Sequence, residues 1–229
     1  KSAEENLKRI CYSPDGFLFA EFGKIFKDIF EKKADYYKKI VRALVDGRKE
    51  VNEICDHLGI QSTGSFSKKL KELTAAGFIS RDYIYDIKGE ETGFTYYRLK
   101  DNYLRFYLKY IEPKKDLIAK GIYKEAALDN FDNWYTIMGL QFENLVLNNL
   151  NEILKILKIP AESIISASPY LQKKTKRQEA CQIDLLVQTR YSLIVIEIKF
   201  KKKIGKAVID ETLTKIKKLK YPSKGEFRP

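Results

Sequence analysis

The stretch that most limits what this chain can become is residues 181–200, Cys-Gln-Ile-Asp-Leu-Leu-Val-Gln-Thr-Arg-Tyr-Ser-Leu-Ile-Val-Ile-Glu-Ile-Lys-Phe. Two apolar runs, residues 183–187 and 193–198, flank a polar break at 188–192. Both are rich in Ile, Val and Leu and too short for most helices, so they read as β-strands joined by a hairpin. Apolar side chains fall on both parities, the pattern of strands covered on both faces. Each run nevertheless holds an acid, Asp184 or Glu197, and Lys199 follows two residues after Glu197.

Placing the turn between Arg190 and Tyr191 sets Asp184 opposite Glu197. Their side chains would then leave one face as cross-strand neighbours, roughly 5 Å apart at Cβ. Lys199 shares that face about 6.6 Å further along. Two like charges side by side repel unless a cation sits between them. Left buried and unpaired, each would cost several kcal/mol. Two hard-oxygen ligands suit Mg²⁺ or Mn²⁺, and a neighbouring ammonium can stabilise an attacking hydroxide or a phosphate. The plainer alternative is a Glu197–Lys199 salt bridge at a sheet edge. The apolarity of Leu-Ile-Val-Ile-Glu-Ile argues for an interior strand instead.

Ile-Asp-Leu-Leu-Val followed by Ile-Val-Ile-Glu-Ile-Lys resembles the PD-(D/E)XK, or restriction-endonuclease-like, superfamily. The resemblance implies that Asp184 and Glu197 are metal ligands and Lys199 the catalytic lysine. It also implies an acid on the preceding helix, a position that Glu143 in Gly-Leu-Gln-Phe-Glu-Asn-Leu-Val fits. A solvated helix acid is the alternative for Glu143. Ile183 stands where the family's name has proline.

Composition bounds the partners. The 229 residues carry a net charge of +12. Residues 171–229 alone hold 16 Lys and Arg against 6 Asp and Glu. Beside a divalent-cation site, such a basic excess points to a polyanion; the alternative is a solvated lysine-rich surface. Three widely spaced cysteines, Cys11, Cys55 and Cys181, suit a reducing, cytoplasmic setting and offer no metal-ligand spacing. With a single His, His57, zinc and His-centred catalysis are disfavoured. No run approaches membrane length and no signal peptide is visible. A chain that starts at Lys1 rather than Met reads as a fragment.

Residues 1–33 read as the tail of something larger, with a turn at Tyr12-Ser-Pro-Asp-Gly-Phe and a helical face of Phe22, Ile25, Phe26 and Ile29. Residues 34–100 read as three helices and a hairpin. The inward faces are Tyr37, Ile40, Val41, Leu44 and Val45, then Val51, Ile54, Cys55 and Leu58, then Phe66, Leu70 and Leu73. Gly47, Gly59 and Gly77 punctuate them, and Ser62 or Thr63 caps the third. Strands at 79–87 and 94–99 flank a turn at 89–93. Helix, helix, helix, hairpin is the order of a winged helix-turn-helix. Ser-Lys-Lys-Leu-Lys-Glu-Leu-Thr-Ala-Ala-Gly-Phe-Ile at 67–79 resembles the recognition helix and first wing strand of bacterial and archaeal winged-helix regulators. The third helix would expose Ser65, Lys68, Lys69 and Lys71 to DNA. Glu90 and Glu91 at the wing tip favour contact with protein instead. Gly59-Ile-Gln-Ser-Thr-Gly-Ser has the glycine spacing of a phosphate loop but lacks its Lys and its preceding strand, so no ATP site is visible.

Residues 101–133 read as an aromatic helix capped by Asp101, then a polar connector. Tyr103, Phe106, Tyr107 and Tyr110 at helical spacing are a core stripe more readily than a stacking platform. The last unit, 134–229, reads as a long amphipathic helix with Leu145, Val146, Ile153, Leu154 and Leu157 inward, a strand at 164–170, the hairpin, and a final helix at 205–220. That helix would turn Val208, Ile209, Leu213 and Ile216 inward and Lys206, Lys215, Lys217, Lys218 and Lys220 outward. Lys173, Lys174, Lys176 and Arg177 form a basic loop placed to meet a polyanion. The expected class is α+β: a winged helix-turn-helix joined to a mixed sheet flanked by helices. The resemblance to the nuclease-like core implies a further strand after the final helix, and the chain stops at 227–229 where it would begin.

Winged helix, aromatic helix and nuclease-like unit in this order resemble the C-terminal region of archaeal and bacterial AAA-type (DEXX-box) ATPases. Tyr12-Ser-Pro-Asp-Gly-Phe and Tyr-Arg-Leu-Lys-Asp-Asn-Tyr-Leu-Arg-Phe-Tyr at 97–107 carry that resemblance. It implies an ATP-hydrolysing domain upstream and, as partners, DNA and the chain's own or another ATPase domain; a second copy of the chain is also open. Two functions follow as expectations. One is a Mg²⁺-dependent DNA nuclease or nuclease-like effector; the other is a catalytically silent regulatory or assembly module.

Overall fold

The structure is a computed structural model that describes residues 2–124, 126–176 and 178–219. The chain divides into two compact units, Lys1–Ser80 with Tyr97–Gln141 and Arg81–Tyr96 with Phe142–Pro229. It is a mixed α+β protein with two small antiparallel sheets.

The first unit begins with α1 (Ala3–Cys11), whose Ser2 and Glu5 form a reciprocal capping box. Next come α2 (Phe17–Phe30), α3 (Ala34–Ala43), α4 (Val51–Leu58) and α5 (Gly64–Ala75). The caps follow local chemistry. Glu50 and Glu53 box the start of α4. Gly59 closes α4 at φ 65°, a left-handed position that favours glycine. The Thr63 hydroxyl accepts from Phe66 N–H and starts α5. The hairpin β1 (Ile79–Tyr85) and β2 (Glu91–Leu99) follows. Tyr37, Ile40, Val41 and Leu44 from α3 and its last turn, Ile54 and Cys55 from α4, and Phe66, Leu70 and Leu73 from α5 are all buried together. On α2 the buried face is Phe22 and Phe26, while Ile25 and Ile29 look outward.

Asp101 caps α6 (Asn102–Phe106) by accepting from Leu104 N–H. The helix then runs on as a wider π-helical turn, Tyr107–Ile111. Phe106, Tyr107 and Tyr110 are buried, so the aromatic stripe is core. Residues 114–133 are more than a connector. They form α7 (Lys115–Ala119) and contribute Ile118, Leu128 and Phe131 to the same hydrophobic cluster. Tyr12, in its sequence-evident turn, packs edge-on against Phe106 and Phe131.

The helix expected at 134–157 is two. α8 (Trp134–Asn148) and α9 (Leu150–Ile156) meet at Asn149, whose backbone leaves the helical region at φ −114°, ψ 33°. The face toward the second unit's core is Leu147, Leu150 and Leu154, about one position round from the expected one; Leu145 and Leu157 are exposed. In this unit β3 (Ile164–Gln172), β4 (Cys181–Thr189) and β5 (Leu193–Ile196) form a sheet in that order. Among the described residues it is antiparallel throughout, and β5 is its edge, with half-buried residues. A mixed sheet would need the strand after the last helix, which lies outside the described residues. The β3–β4 register slips between Ser168 and Tyr170, where Pro169 has no N–H to give the ladder. Helix α10 (Lys206–Lys218) packs against β4. Val208 and Ile216 are half-buried, but Ile209 and Leu213, expected inward, are 59% and 50% exposed.

The tip of the β1–β2 hairpin belongs to this second unit. Ile87 is buried with Tyr170, Cys181, Ile183, Leu186 and Leu219. Gln188 Nε2 donates to the Asp86 carbonyl at 2.8 Å. Gly89, at φ 84°, lies so close to Ile165 that a Cβ would meet its Cγ2 at 2.5 Å. The start of the turn, Asp86 to Gly89, is therefore held against the β3–β4 sheet, while Lys88 and the residues from Glu90 to Phe94 are exposed.

Candidate functional site

The β4–β5 hairpin has the register that its sequence implies. Leu185 faces Ile196, Leu186 faces Val195, Val187 faces Ile194 and Gln188 faces Leu193. Thr189 N–H donates to the Ser192 carbonyl at 2.9 Å, closing the turn around Arg190 and Tyr191. One further step along this register sets Asp184 opposite Glu197. The backbone ladder ends at that step, because Ile198 N–H donates to Asp184 Oδ2 at 2.9 Å. That bond fixes the Asp184 carboxylate beside residues 197–199, which follow the end of β5 at Ile196; the strand is two residues shorter than the expected 193–198.

Glu197 is the most enclosed charge of the cluster, its side chain 3% exposed. Its Oε2 accepts from Lys199 Nζ at 3.1 Å and from Lys215 Nζ at 2.6 Å. Glu211 Oε1 also takes Lys199 Nζ at 3.1 Å and lies 3.5 Å from Lys215 Nζ. The salt-bridge alternative at a sheet edge is thus present in fact, and α10 enlarges it into a four-membered network. Glu197 Oε1 is buried with no hydrogen-bond partner among the described residues. A buried carboxylate oxygen without a donor is costly, on the order of 1–3 kcal/mol.

Burial pulls the Lys199 ammonium down, but its hydrogen bonds to Glu197 and Glu211 and the charges of Glu197 and Asp184 outweigh this, and its pKa lies above the ordinary lysine range. Lys199 is therefore a cation at neutral pH and no general base. The hydrogen bond from Lys199 holds the Glu211 carboxyl below the usual carboxylate range. Burial raises the Cys181 thiol, partly offset by Lys215 and Lys218. All three cysteines are free and buried.

Asp184 and Glu197 offer the donor type of a hard divalent cation, and the open oxygen of Glu197 is the structural feature that would receive one. Among the described residues no group of three or more His, Cys, Asp or Glu is arranged to hold a metal. Two carboxylates are nonetheless what Mg²⁺ commonly takes from protein, the rest of its shell being water and substrate phosphate.

The remaining expected residues lie elsewhere on these elements. Glu143 is half-buried on α8 next to buried Asn144, and it has polar interactions of its own. On α5, Ser65, Lys68 and Lys71 are exposed. Lys69 is half-buried, bonded to Ser65 Oγ at 3.0 Å and 5.2 Å from the centre of the Tyr36 ring. Lys173, Lys174 and Lys176 are exposed, and Lys173 Nζ stands 4.3 Å over the Phe94 ring. Arg177 lies outside the described residues. Sequence reasoning missed Lys215 and Glu211. Their four-residue spacing on a helix was the available signal, but it could not say that this face meets Glu197. No described helix is long and apolar enough to cross a membrane.

Residues 107–215 match the model of family DUF234, described as archaeal and bacterial proteins of unknown function. An uncharacterized protein of Methanocaldococcus jannaschii is 31% identical over 157 residues, which cover 69% of this chain and 34% of that relative. The chain thus spans about a third of the length of the curated relative it matches. No solved structure matches. The matched span of DUF234 takes in α8, the whole β3–β4–β5 sheet and the lysines and acids described above, up to Lys215.

Proposed function

We propose that this chain is the C-terminal part of an AAA-type ATPase and carries a Mg²⁺- or Mn²⁺-dependent, PD-(D/E)XK-like centre that cleaves phosphodiester bonds in DNA. The observation that carries the reading is the Glu197 carboxylate. It is buried at the end of the hairpin, one oxygen held by two ammoniums and the other open, in register with Asp184. A divalent cation bound by Asp184 and Glu197 would supply Lewis acidity at the phosphorus and an acidified water. Asp184, oriented by the Ile198 amide, and Glu197 would hold it. Lys199, charged at neutral pH, would stabilise the negative charge that grows on the phosphate oxygens. Glu143 would assist with metal or water. Lys173, Lys174, Lys176 and Arg177 would meet the phosphate backbone. In this reading α3–α5 with the β1–β2 hairpin act as a winged helix-turn-helix, with Ser65, Lys68, Lys69 and Lys71 toward DNA.

The test is cleavage of DNA with Mg²⁺ by the wild type beside Lys199→Ala. The expected loss is about a hundredfold or more, the scale of removing one electrostatic donor from a transition state. Equal rates from both proteins, or no cleavage by either, would remove the proposal.

A second reading is favoured by one observation: the hairpin is anchored on β3–β4 through Ile87, in a core cluster, and leaves Glu90 and Glu91 exposed at its tip. An anchored hairpin with two exposed acids at its tip would repel a phosphate backbone, which suits a silent regulatory or assembly module of an ATPase. DNA affinity that falls steeply with salt favours the first reading, and salt-independent or absent affinity the second.

A further inference from the structure

We infer that Lys199 and Lys215 together form the subsite for one non-bridging oxygen of a phosphodiester, and that Glu211 occupies it until substrate displaces it. The inference rests on the nuclease reading above and adds to it the substrate-binding pair and its resident occupant.

The geometry supplies the argument. A single oxygen, Glu211 Oε1, lies 3.1 Å from Lys199 Nζ and 3.5 Å from Lys215 Nζ. A non-bridging oxygen of a phosphate monoanion can accept from two ammoniums in the same way. The two carboxylates that share these lysines differ in how firmly they are held. Glu197 is 3% exposed and Glu211 47% exposed, while both lysines are 22% exposed. Glu197 cannot leave without stranding a buried charge. Glu211 can swing into water at small cost, because an exposed ion pair contributes little. The exchange therefore has a fixed order: Glu197 stays and Glu211 gives way. Lys199 donates to both carboxylates, and Lys215 donates to Glu197 and pairs with Glu211 at 3.5 Å, so a departing Glu211 leaves both ammoniums available to another oxygen.

Charge then selects the ligand. Asp184, Glu197 and Glu211 oppose Lys199 and Lys215, leaving the cluster one unit negative. A phosphodiester carries a single negative charge, so its exchange for Glu211 leaves that balance unchanged. A phosphomonoester dianion would add a charge. The pair accordingly suits an internal phosphate of a nucleic acid more than a terminal one.

The test is binding of dimethyl phosphate, a phosphodiester monoanion without bases, to the whole chain in EDTA, followed by ³¹P line broadening. Removing metal separates binding from cleavage. Glu211→Gln should bind about threefold more tightly, the scale of losing an exposed competing ion pair. Lys215→Ala should bind about tenfold more weakly, the scale of one charge-assisted hydrogen bond, and Lys215→Arg should stay near wild type. Lys217→Ala, one exposed charge removed from the same helix, should change nothing. If Glu211→Gln binds no better, or Lys217→Ala weakens binding as much as Lys215→Ala, the subsite is overturned. Circular dichroism checks each fold; should Lys215→Ala fail to fold, Glu211→Gln, Lys215→Arg and Lys217→Ala still decide. The two failures are distinct. Correct binding shifts without any Mg²⁺-dependent cleavage would sink the nuclease reading and leave the anion subsite. Lys199-dependent cleavage without a Glu211→Gln effect would do the reverse.

Discussion

Phe26 in the first unit and Gln188 in the second are equally hidden from solvent, at 0% and 1% exposure, and different physics holds them. Phe26 lies among rings, within 5 Å between centroids of Phe22, Phe30 and Phe78. Such contacts are non-directional and sum to a large apolar area removed from water. Gln188 lies among hydrogen bonds. It accepts from Ser166 Oγ and donates to the Asp86 carbonyl. The second unit has smaller apolar clusters and buries Asn144, Ser166, Gln172, Gln188 and Thr189 besides the Glu197 side chain. A ring cluster tolerates shifts of a few tenths of an ångström; a buried polar group tolerates little, because a lost partner leaves an unmet donor or acceptor. The unit that carries the candidate chemistry is thus the one whose geometry is set by directional bonds.

The comparison can be broken in three ways. The largest expected effect is Phe26→Ala, at about 3–5 kcal/mol from lost transfer energy and a residual cavity. Trp134, the sole tryptophan, packs against Phe131 and Tyr110 in the same unit, so its fluorescence during urea unfolding reads the loss. A cost under 1 kcal/mol would mean that the ring cluster repacks like a liquid. Next, Gln188→Ala should cost about 1–3 kcal/mol by stranding the Asp86 carbonyl and Ser166. Hydrogen exchange of the β4 amides measures it, and an unchanged rate would make the buried bonds incidental.

The smallest effect sharpens the role of Glu211. Its carboxyl is held below the ordinary 4.5 by the Lys199 hydrogen bond, so the charged form is favoured by folding. The resulting stability is present above pH 4.5 and is lost as pH falls through the lower folded-state value. Glu211→Gln lacks that increment. It should be less stable than wild type at neutral pH by about 0.5 kcal/mol, discounted for its exposure, and the two should converge in acid. Parallel curves down to pH 3 would show that the pair contributes nothing.

How much was legible follows the range of the signal. The β4–β5 register was readable because side-chain parity and a short turn are local. The inward faces of α3, α4 and α5 were readable because 3.6-residue periodicity is local too. The caps at Thr63 and Asp101 depend on four successive residues. The faces of α8 and α10 misled, with Leu145, Ile209 and Leu213 outward, because apolar spacing names a stripe and not what covers it. Residues 114–133 looked like linker because Ile118, Leu128 and Phe131 are too sparse for a periodic pattern. The anchored hairpin had no local signal: Ile87 finds Tyr170 and Leu186 some 80 to 100 positions away in the chain.

Sequence by itself determined most of the strands and helices, which residues pair across the β4–β5 hairpin, and that Asp184, Glu197 and Lys199 are neighbours. Those features need only φ/ψ preference and the alternation of side chains along a strand. Tertiary structure alone decided that α10 turns Glu211 and Lys215 onto Glu197, that one Glu197 oxygen is left open, and that Ile87 of the hairpin is buried against the second sheet. These depend on packing between elements distant in the chain, where a rotation of one helix by a single position exchanges the charge that meets the site.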